Sequence, residues 1–220
     1  MSKLRLLFVK EKQASYISHL DLIRTFQRAF PRTELEIKHT QGFHPHPILS
    51  IVLPLPVGQS SDCELLDFEV TQQTDGSGIA EKLNTGMPSG LRVLDCYVAS
   101  RPIREMVWLE ADVELEYDAG VPEGAAEQLG ELFAREELII QKRTKRKDLA
   151  DVDIAPMIGA VELTAGENMI CGTVRVQAQN PGLNPALLEK AIAAYLPELR
   201  PDFMRVRRRR ILDAAGEDFR

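Results

Sequence analysis

The segment Leu109–Tyr117 constrains the fold more than any other, because its residues alternate strictly between apolar and acidic. Successive side chains of a β-strand point to opposite faces of the sheet. One face of this segment therefore presents Leu109, Val113, Leu115 and Tyr117, and the other face presents four carboxylates. The pattern predicts a half-buried antiparallel strand with an acidic outer face.

The rest of the second half places helix and strand signals around that strand. Pro122 is predicted to start a helix, and Asn184-Pro185 combines an N-cap with proline at the first position of another helix. Two of the strands are predicted to form a hairpin around Ala165-Gly166. The predicted strands are Leu138–Gln141, Gly159–Thr164, Met169–Ala178 and Phe203–Leu212.

The first half shows a similar order of elements. Ser18 is predicted to cap a helix, Asp21 completes a capping-box pattern at the third helical position, and Pro31 ends the helix. A second, short helix is predicted at Ile79–Leu83. The extended segments are Lys3–Lys10, Leu35–His39, Ser50–Leu55, Leu65–Val70 and Leu91–Val98.

The order β-α-β-β-α-β is that of the ferredoxin-like fold, and it occurs twice. We therefore predict an α+β protein of two tandem ferredoxin-like units with antiparallel sheets, residues 1–100 and residues 101–220, joined near Ser100-Arg101-Pro102. A chain of 220 residues is long enough for two units that each bury a core.

Charge is distributed unevenly, although the net charge is only −6. The stretch Glu105–Glu137 is acidic, whereas Lys142–Lys147 and Arg205–Arg210 are dense basic runs. If the fold brings the two runs together, they form one positive patch opposite the acidic surface, which suits RNA phosphates. The residues of the second run that we expect to contact a substrate are Arg207, Arg208, Arg209 and Arg210.

The composition excludes several classes of protein. No apolar run approaches the roughly 18 residues of a membrane span, and no signal-peptide cleavage pattern follows the start, so we expect a cytoplasmic protein without a membrane partner. Cys63, Cys96 and Cys171 lie far apart, which argues against a disulfide framework and a cysteine-bound metal or cluster. No phosphate-binding loop or dinucleotide fingerprint occurs.

All four histidines lie in the first 46 residues, within the segment Ser18–Gly58. His19 occupies the first position of the capped helix, where the dipole disfavours the imidazolium, so we expect a neutral ring that can accept a proton or bind a metal. Ser18 and Asp21 beside it, with Arg24 on the polar side of the helix, are candidate substrate contacts, although capping alone also explains the first two.

The loop Thr40–Pro47 holds the second group of candidates. Prolines at positions 45 and 47 keep the preceding residues extended, so His44 and His46 point to the same side. With His19 they could ligate zinc or another transition metal, although the loop contains no acidic residue, and a polar pocket or nucleic-acid surface is the alternative. Gly42 and Phe43 predict a tight turn that presents an aromatic ring, which more commonly packs inward than stacks on a base.

Three motifs in the N-terminal half resemble a known family. They are Tyr16-Ile-Ser-His-Leu-Asp-Leu-Ile-Arg24, Gln41-Gly-Phe-His-Pro-His-Pro47 and Pro54-Leu-Pro-Val-Gly58. Together they are similar to the signature of the radical SAM-associated proteins of unknown function, and Val152-Asp-Ile154 is similar to a weaker motif of the second half. In that family the domain occurs beside a radical SAM gene or is fused to a radical SAM enzyme.

The resemblance implies an accessory role rather than a reaction. The three dispersed cysteines do not provide the closely spaced thiolates that hold a radical SAM cluster. The family typically has asparagine where this chain has His44, so His46 is the better site residue. The implied role is to position a substrate for a radical SAM partner enzyme. We expect that substrate to be RNA.

Three functional hypotheses follow. The first is a non-catalytic adaptor that binds RNA and a radical SAM enzyme and needs no cofactor. The second is a metal-independent ribonuclease with His19 or His46 as general acid or base, for which tandem ferredoxin-like RNA-processing endonucleases offer an analogy of fold. The third is a metal site built from His19, His44 and His46.

Overall fold

The computed structural model describes residues 2–143 and 149–220, and these divide into two units. Unit 1 comprises residues 1–105 together with Phe219 and Arg220, and unit 2 comprises Met106–Asp218. The division falls a few residues after the expected junction near Ser100-Arg101-Pro102, and the last two residues of the chain return to unit 1.

Unit 1 contains four strands and two α-helices in the order β-α-β-β-α-β. Its antiparallel sheet has the order β4-β1-β3-β2. The elements are β1 (Ser2–Lys10), α1 (His19–Ala29), β2 (Leu49–Ile51), β3 (Ser60–Val70), α2 (Ile79–Asn84) and β4 (Leu91–Val98).

The core of unit 1 lies between one face of this sheet and the helices. Alternate residues of β1 reach that face, and Phe8 packs edge-on against Phe26 of α1 with ring centroids 5.0 Å apart. Phe30, just after the helix, packs on Phe68 of β3 at 4.8 Å. Helix α1 thus buries its apolar stripe and leaves the opposite side of its first turns exposed, where the motif residues lie.

Unit 2 repeats this arrangement with one additional hairpin. Its main sheet is antiparallel with the order β10-β5-β9-β8, and β6 pairs only with β7 in a separate two-stranded sheet. The elements are β5 (Trp108–Glu116), α3 (Ala125–Phe133), β6 (Ile139–Arg143), β7 (Leu149–Asp153), β8 (Ile158–Ala165), β9 (Met169–Gln177), α4 (Leu188–Tyr195) and β10 (Phe203–Leu212).

The alternating strand behaves as predicted. Leu109, Ala111, Val113 and Leu115 are buried, and every carboxylate of β5 is partly exposed. The prediction of a strand at Leu35–His39 is wrong, because only isolated bridges form there, at Ile37 and at His39. An α+β architecture with antiparallel sheets is confirmed.

Candidate functional site

The first turn of α1 is fixed by the cap that the sequence predicts. The Ser18 hydroxyl accepts a hydrogen bond from the Asp21 backbone N–H at 3.2 Å and donates one to the Asp21 carboxylate at 2.7 Å. The Arg24 guanidinium donates to the other carboxylate oxygen at 3.1 Å. The Ser18 hydroxyl and then Arg24 hold the pKa of Asp21 below its usual value. These three predicted site residues are therefore mutually engaged and exposed.

His19 lies beside this cap and points to solvent. Its ring is exposed, and within residues 2–143 and 149–220 no group is hydrogen bonded to it. A general base is usually oriented by a hydrogen bond to its second ring nitrogen. The structure places His19 on the surface without such an orienting group.

The loop Thr40–Pro47 forms the tip of a hairpin. The Thr40 N–H donates to the His46 carbonyl at 2.9 Å, and the Ile48 N–H donates to the Lys38 carbonyl at 2.9 Å. His46 is held further by Thr40, whose hydroxyl accepts from the His46 N–H at 3.2 Å and lies 3.2 Å from the ring Nδ1. The His46 ring is therefore fixed in place by its own hairpin.

Gly42 and Phe43 form the end of that hairpin. Gly42 has φ of +137°, a conformation that side chains with a Cβ rarely adopt. The Phe43 ring is 101% exposed, so the expectation that it packs inward is wrong. His44 is also exposed. The turn presents an aromatic ring to solvent, as the glycine–aromatic pair indicated.

The three histidines proposed as metal ligands are not assembled into a site. In the described part of the chain, no group of three or more His, Cys, Asp or Glu side chains is close enough to hold a metal ion. His46 contacts Thr40 and the His44 carbonyl instead. The three-histidine metal site stays a prediction that this geometry does not support.

A buried lysine that the sequence did not single out fixes the backbone leading into α1. Lys10, at the end of β1, is almost fully buried, and its ammonium donates to the carbonyls of Ser15 and Ile17 at 3.2 Å each. The Gly58 N–H donates to the same Ser15 carbonyl at 2.9 Å, which ties the third motif to the residue just before the first. A charged residue directly after the apolar run Leu6–Val9 was the available signal.

Large apolar side chains are exposed along the motifs. Five of the ten that are exposed in the described chain lie between positions 16 and 57. We call them the apolar set, and its members are Tyr16, Leu20, Phe43, Ile48 and Val57. Exposed apolar residues that lie in or beside the three motifs and do not contribute to the core are candidates for contact with another molecule.

The arginine run on β10 does not form the expected positive patch. Its strand lies beside β5, so Arg205 is opposite Glu114 and Arg207 is opposite Asp112. Arg209 lies 3.5 Å from Asp112, and Arg210 lies 2.7 Å from Asp218. Arg208 is buried on the opposite face of the sheet.

The prediction of a positive patch opposite an acidic surface is therefore wrong for this run, because the acidic strand is its immediate neighbour. Cross-strand pairs of opposite charge stabilise a sheet and offset each other's fields. The other basic run, Lys142–Lys147, lies largely outside the described residues, since only Lys142 and the backbone of Arg143 are described.

The fold and the candidate site define an α+β protein with two antiparallel-sheet units and an exposed, motif-bearing surface on the first. A family model described as "Uncharacterized protein conserved in bacteria (DUF2344)" matches residues 3–185. The chain belongs to this family. A comparison with curated proteins found no match.

Two solved structures are similar to the chain. One is a chain of a Cbf5-Nop10-Gar1 complex, with 11% identity and a TM-score of 0.52, covering 94% of this chain and 48% of that chain. This chain thus spans about half the length of that relative, and at this identity the similarity concerns the fold alone. The other is an unknown protein from Galdieria sulphuraria, with 13% identity, a TM-score of 0.29 and coverage of 93% and 95%.

Among the helices within residues 2–143 and 149–220, none is both long and apolar enough to cross a membrane.

Proposed function

We propose that the chain is a cytoplasmic accessory protein that binds a radical SAM enzyme and acts by binding rather than by catalysis. The observation that supports this most is the exposure of the apolar set, because these side chains belong to or adjoin the three motifs and are not used by the core. The resemblance of the same motifs to radical SAM-associated proteins names the partner class.

The environment of the histidines favours binding over acid–base catalysis. His19 has no orienting hydrogen bond in the described chain, and the His46 ring is near only a threonine hydroxyl and a backbone carbonyl. General acid–base groups are usually oriented by a charged or polar partner. His19 lacks such a partner among the described residues, so the ribonuclease hypothesis keeps only His46, whose ring the Thr40 hydroxyl orients.

Presentation of RNA to the partner enzyme remains part of the proposal, but its contacts are not assigned to Arg207–Arg210. Binding to a phosphate backbone requires cations whose charge is not already compensated. The exposed arginines of β10 lie beside the carboxylates of β5 and of Asp218. Any RNA contact is instead assigned to helix α1 of the segment Ser18–Gly58, which carries the exposed Arg28.

We also propose that both units are ferredoxin-like. The order β4-β1-β3-β2 of unit 1 and the order β10-β5-β9-β8 of unit 2 support this, since each corresponds to strands 4-1-3-2 of a β-α-β-β-α-β unit. In unit 2 the hairpin β6–β7 is an insertion before the second strand of the repeat.

The test is isothermal titration of the purified chain into a radical SAM enzyme of the same organism, with both proteins treated with nuclease. Stoichiometric binding with a Kd of about 10 µM or tighter is expected for a specific accessory protein. Absence of heat and of co-elution at about 100 µM of each protein would contradict the proposal.

A further inference from the structure

We infer that Phe43 is the anchor by which the chain docks into an uncharged, apolar pocket of its partner protein. This inference rests on the proposed function and specifies how the partner is recognised. Nothing in the core of unit 1 uses the Phe43 ring, which is 101% exposed at the hairpin tip. Burial of an exposed phenyl ring lowers the free energy, and for Phe43 another molecule would supply the pocket.

The hairpin presents this ring on an ordered support. The Lys38 N–H donates to the Glu69 carbonyl of β3 at 2.9 Å, which attaches the hairpin to the sheet. Two backbone hydrogen bonds, from Ile48 to Lys38 and from Thr40 to His46, then close its base. Pre-ordering of a loop lowers the entropy lost on association, so an exposed ring on such a support is suited to be an anchor.

Charge around the ring indicates which class of macromolecule it meets. From Ile37 to Ser61 the sequence contains no aspartate or glutamate, and Lys38 is the only lysine or arginine. The Lys38 ammonium lies 2.7 Å from the Glu69 carboxylate, so its charge is compensated. The hairpin thus carries no uncompensated Asp, Glu, Lys or Arg charge.

A neutral surface with an exposed aromatic matches a protein partner better than a nucleic acid. Stacking on single-stranded nucleic acid is normally combined with a cationic groove that follows the phosphates, and the hairpin supplies no such groove. The centres of protein interfaces are depleted in charge and enriched in aromatic side chains, a few of which dominate the affinity. The occupant we assign is a protein pocket lined by uncharged apolar side chains.

The experiment compares Phe43→Ala with Phe203→Ala in the full-length chain. Phe203 is a matched control, because it is also an exposed phenylalanine but belongs to β10 of unit 2 and to none of the motifs. Each variant is titrated into the nuclease-treated radical SAM enzyme, and circular dichroism with urea unfolding verifies the fold. Phe43→Ala is expected to raise the Kd roughly 30-fold or more, and Phe203→Ala to change it less than about threefold.

Several outcomes separate this inference from the proposed function. If the wild-type chain forms the complex and Phe43→Ala binds within about threefold of it, the anchor assignment is overturned while the accessory role stands. The assignment is also overturned if Phe43→Ala weakens binding to a fluorescent single-stranded RNA and spares the protein complex, or if it abolishes self-association of the chain in sedimentation. If the wild-type chain forms no complex, the proposed function fails instead.

Discussion

Unit 1 contains a buried ion pair between Arg5 of β1 and Asp67 of β3, and the exposed Lys3 lies 3.2 Å from the same carboxylate. Arg5 is 0% exposed and Asp67 is 4% exposed. The guanidinium is bidentate, with Nε 2.6 Å from one carboxylate oxygen and Nη2 3.0 Å from the other. The Phe219 ring lies 4.9 Å from the same guanidinium. Replacing Asp67 by asparagine keeps the volume and removes the compensating charge.

The structure gives the size of the expected effect. Without the carboxylate, Arg5 retains a hydrogen bond to the Arg101 carbonyl at 3.4 Å, which is weak for a buried cation. Breaking one partner of a buried pair leaves an uncompensated charge and typically costs about 3–5 kcal/mol. We expect Asp67→Asn to lower the free energy of unfolding by about 3 kcal/mol, because the amide oxygen still accepts one hydrogen bond.

Glu69→Gln is the matched control, since Glu69 lies two residues along β3 and forms a partly exposed pair with Lys38. Exposed pairs contribute about 0–1 kcal/mol, so the control should be nearly neutral. Urea unfolding should be followed by far-UV circular dichroism, because the single tryptophan, Trp108, reports on unit 2. A loss below about 1 kcal/mol for Asp67→Asn, or equal losses for both variants, would refute the reasoning.

Three further predictions concern the cap, the thiols and the arginine run. Ser18→Ala should lower stability by about 1 kcal/mol through loss of the cap. Since the pKa of Asp21 is lowered in the fold, its contribution is present above the unfolded value and is lost as pH falls, so Asp21→Asn should flatten the acid side of the stability curve below about pH 4. Burial, and then nearby carboxylates, raise the pKa of Cys96 to about 12, so Ellman's reagent at pH 8 should modify exposed Cys171 quickly and Cys96 only after unfolding. Arg210→Glu should destabilise the fold by roughly 1 kcal/mol in a thermal melt, because it faces the carboxylates that Arg210 now pairs with, and a neutral result would contradict the pairing.

Local sequence signals determined much of the fold. The strands Leu91–Val98 and Phe203–Leu212 have the predicted bounds, because each begins directly after turn residues, Ser89-Gly90 and Pro201-Asp202. Helix α1 begins after Ser18 and ends before Pro31, since capping and the missing proline N–H act within one turn.

Features that depend on distant partners were not predictable from local patterns. The segment Leu35–His39 has the composition of a strand but forms only two isolated bridges. Ile37 pairs with Val70 and His39 pairs with Pro47, so no continuous ladder of hydrogen bonds forms with one neighbouring strand. The strand that pairs with the arginine run was also not predictable, because the order of strands in the sheet places β10 beside the acidic β5. In the hairpin β6–β7, the sequence predicts a strand near β6 but none at β7. The residues of β7 follow a highly charged run and show no strand pattern of their own.

In the candidate site, too, local features were predictable from the sequence and features that depend on distant contacts were not. The cap formed by Ser18 and Asp21 follows from sequence spacing, whereas the outward orientation of Phe43 depends on how the hairpin attaches to β3. The acceptors of the Lys10 ammonium could not be foreseen either, because they are backbone carbonyls of the next segment.

The central claim is that the motif-bearing surface of unit 1 binds a partner protein. Hydrogen–deuterium exchange of the chain, measured by mass spectrometry with and without the radical SAM enzyme, tests it most directly. We predict slowed exchange in peptides that cover residues 16–20 and 40–48, and unchanged exchange in peptides that cover β10. Complex formation with protection confined to β10, or with no protection at the two motif segments, would contradict the account.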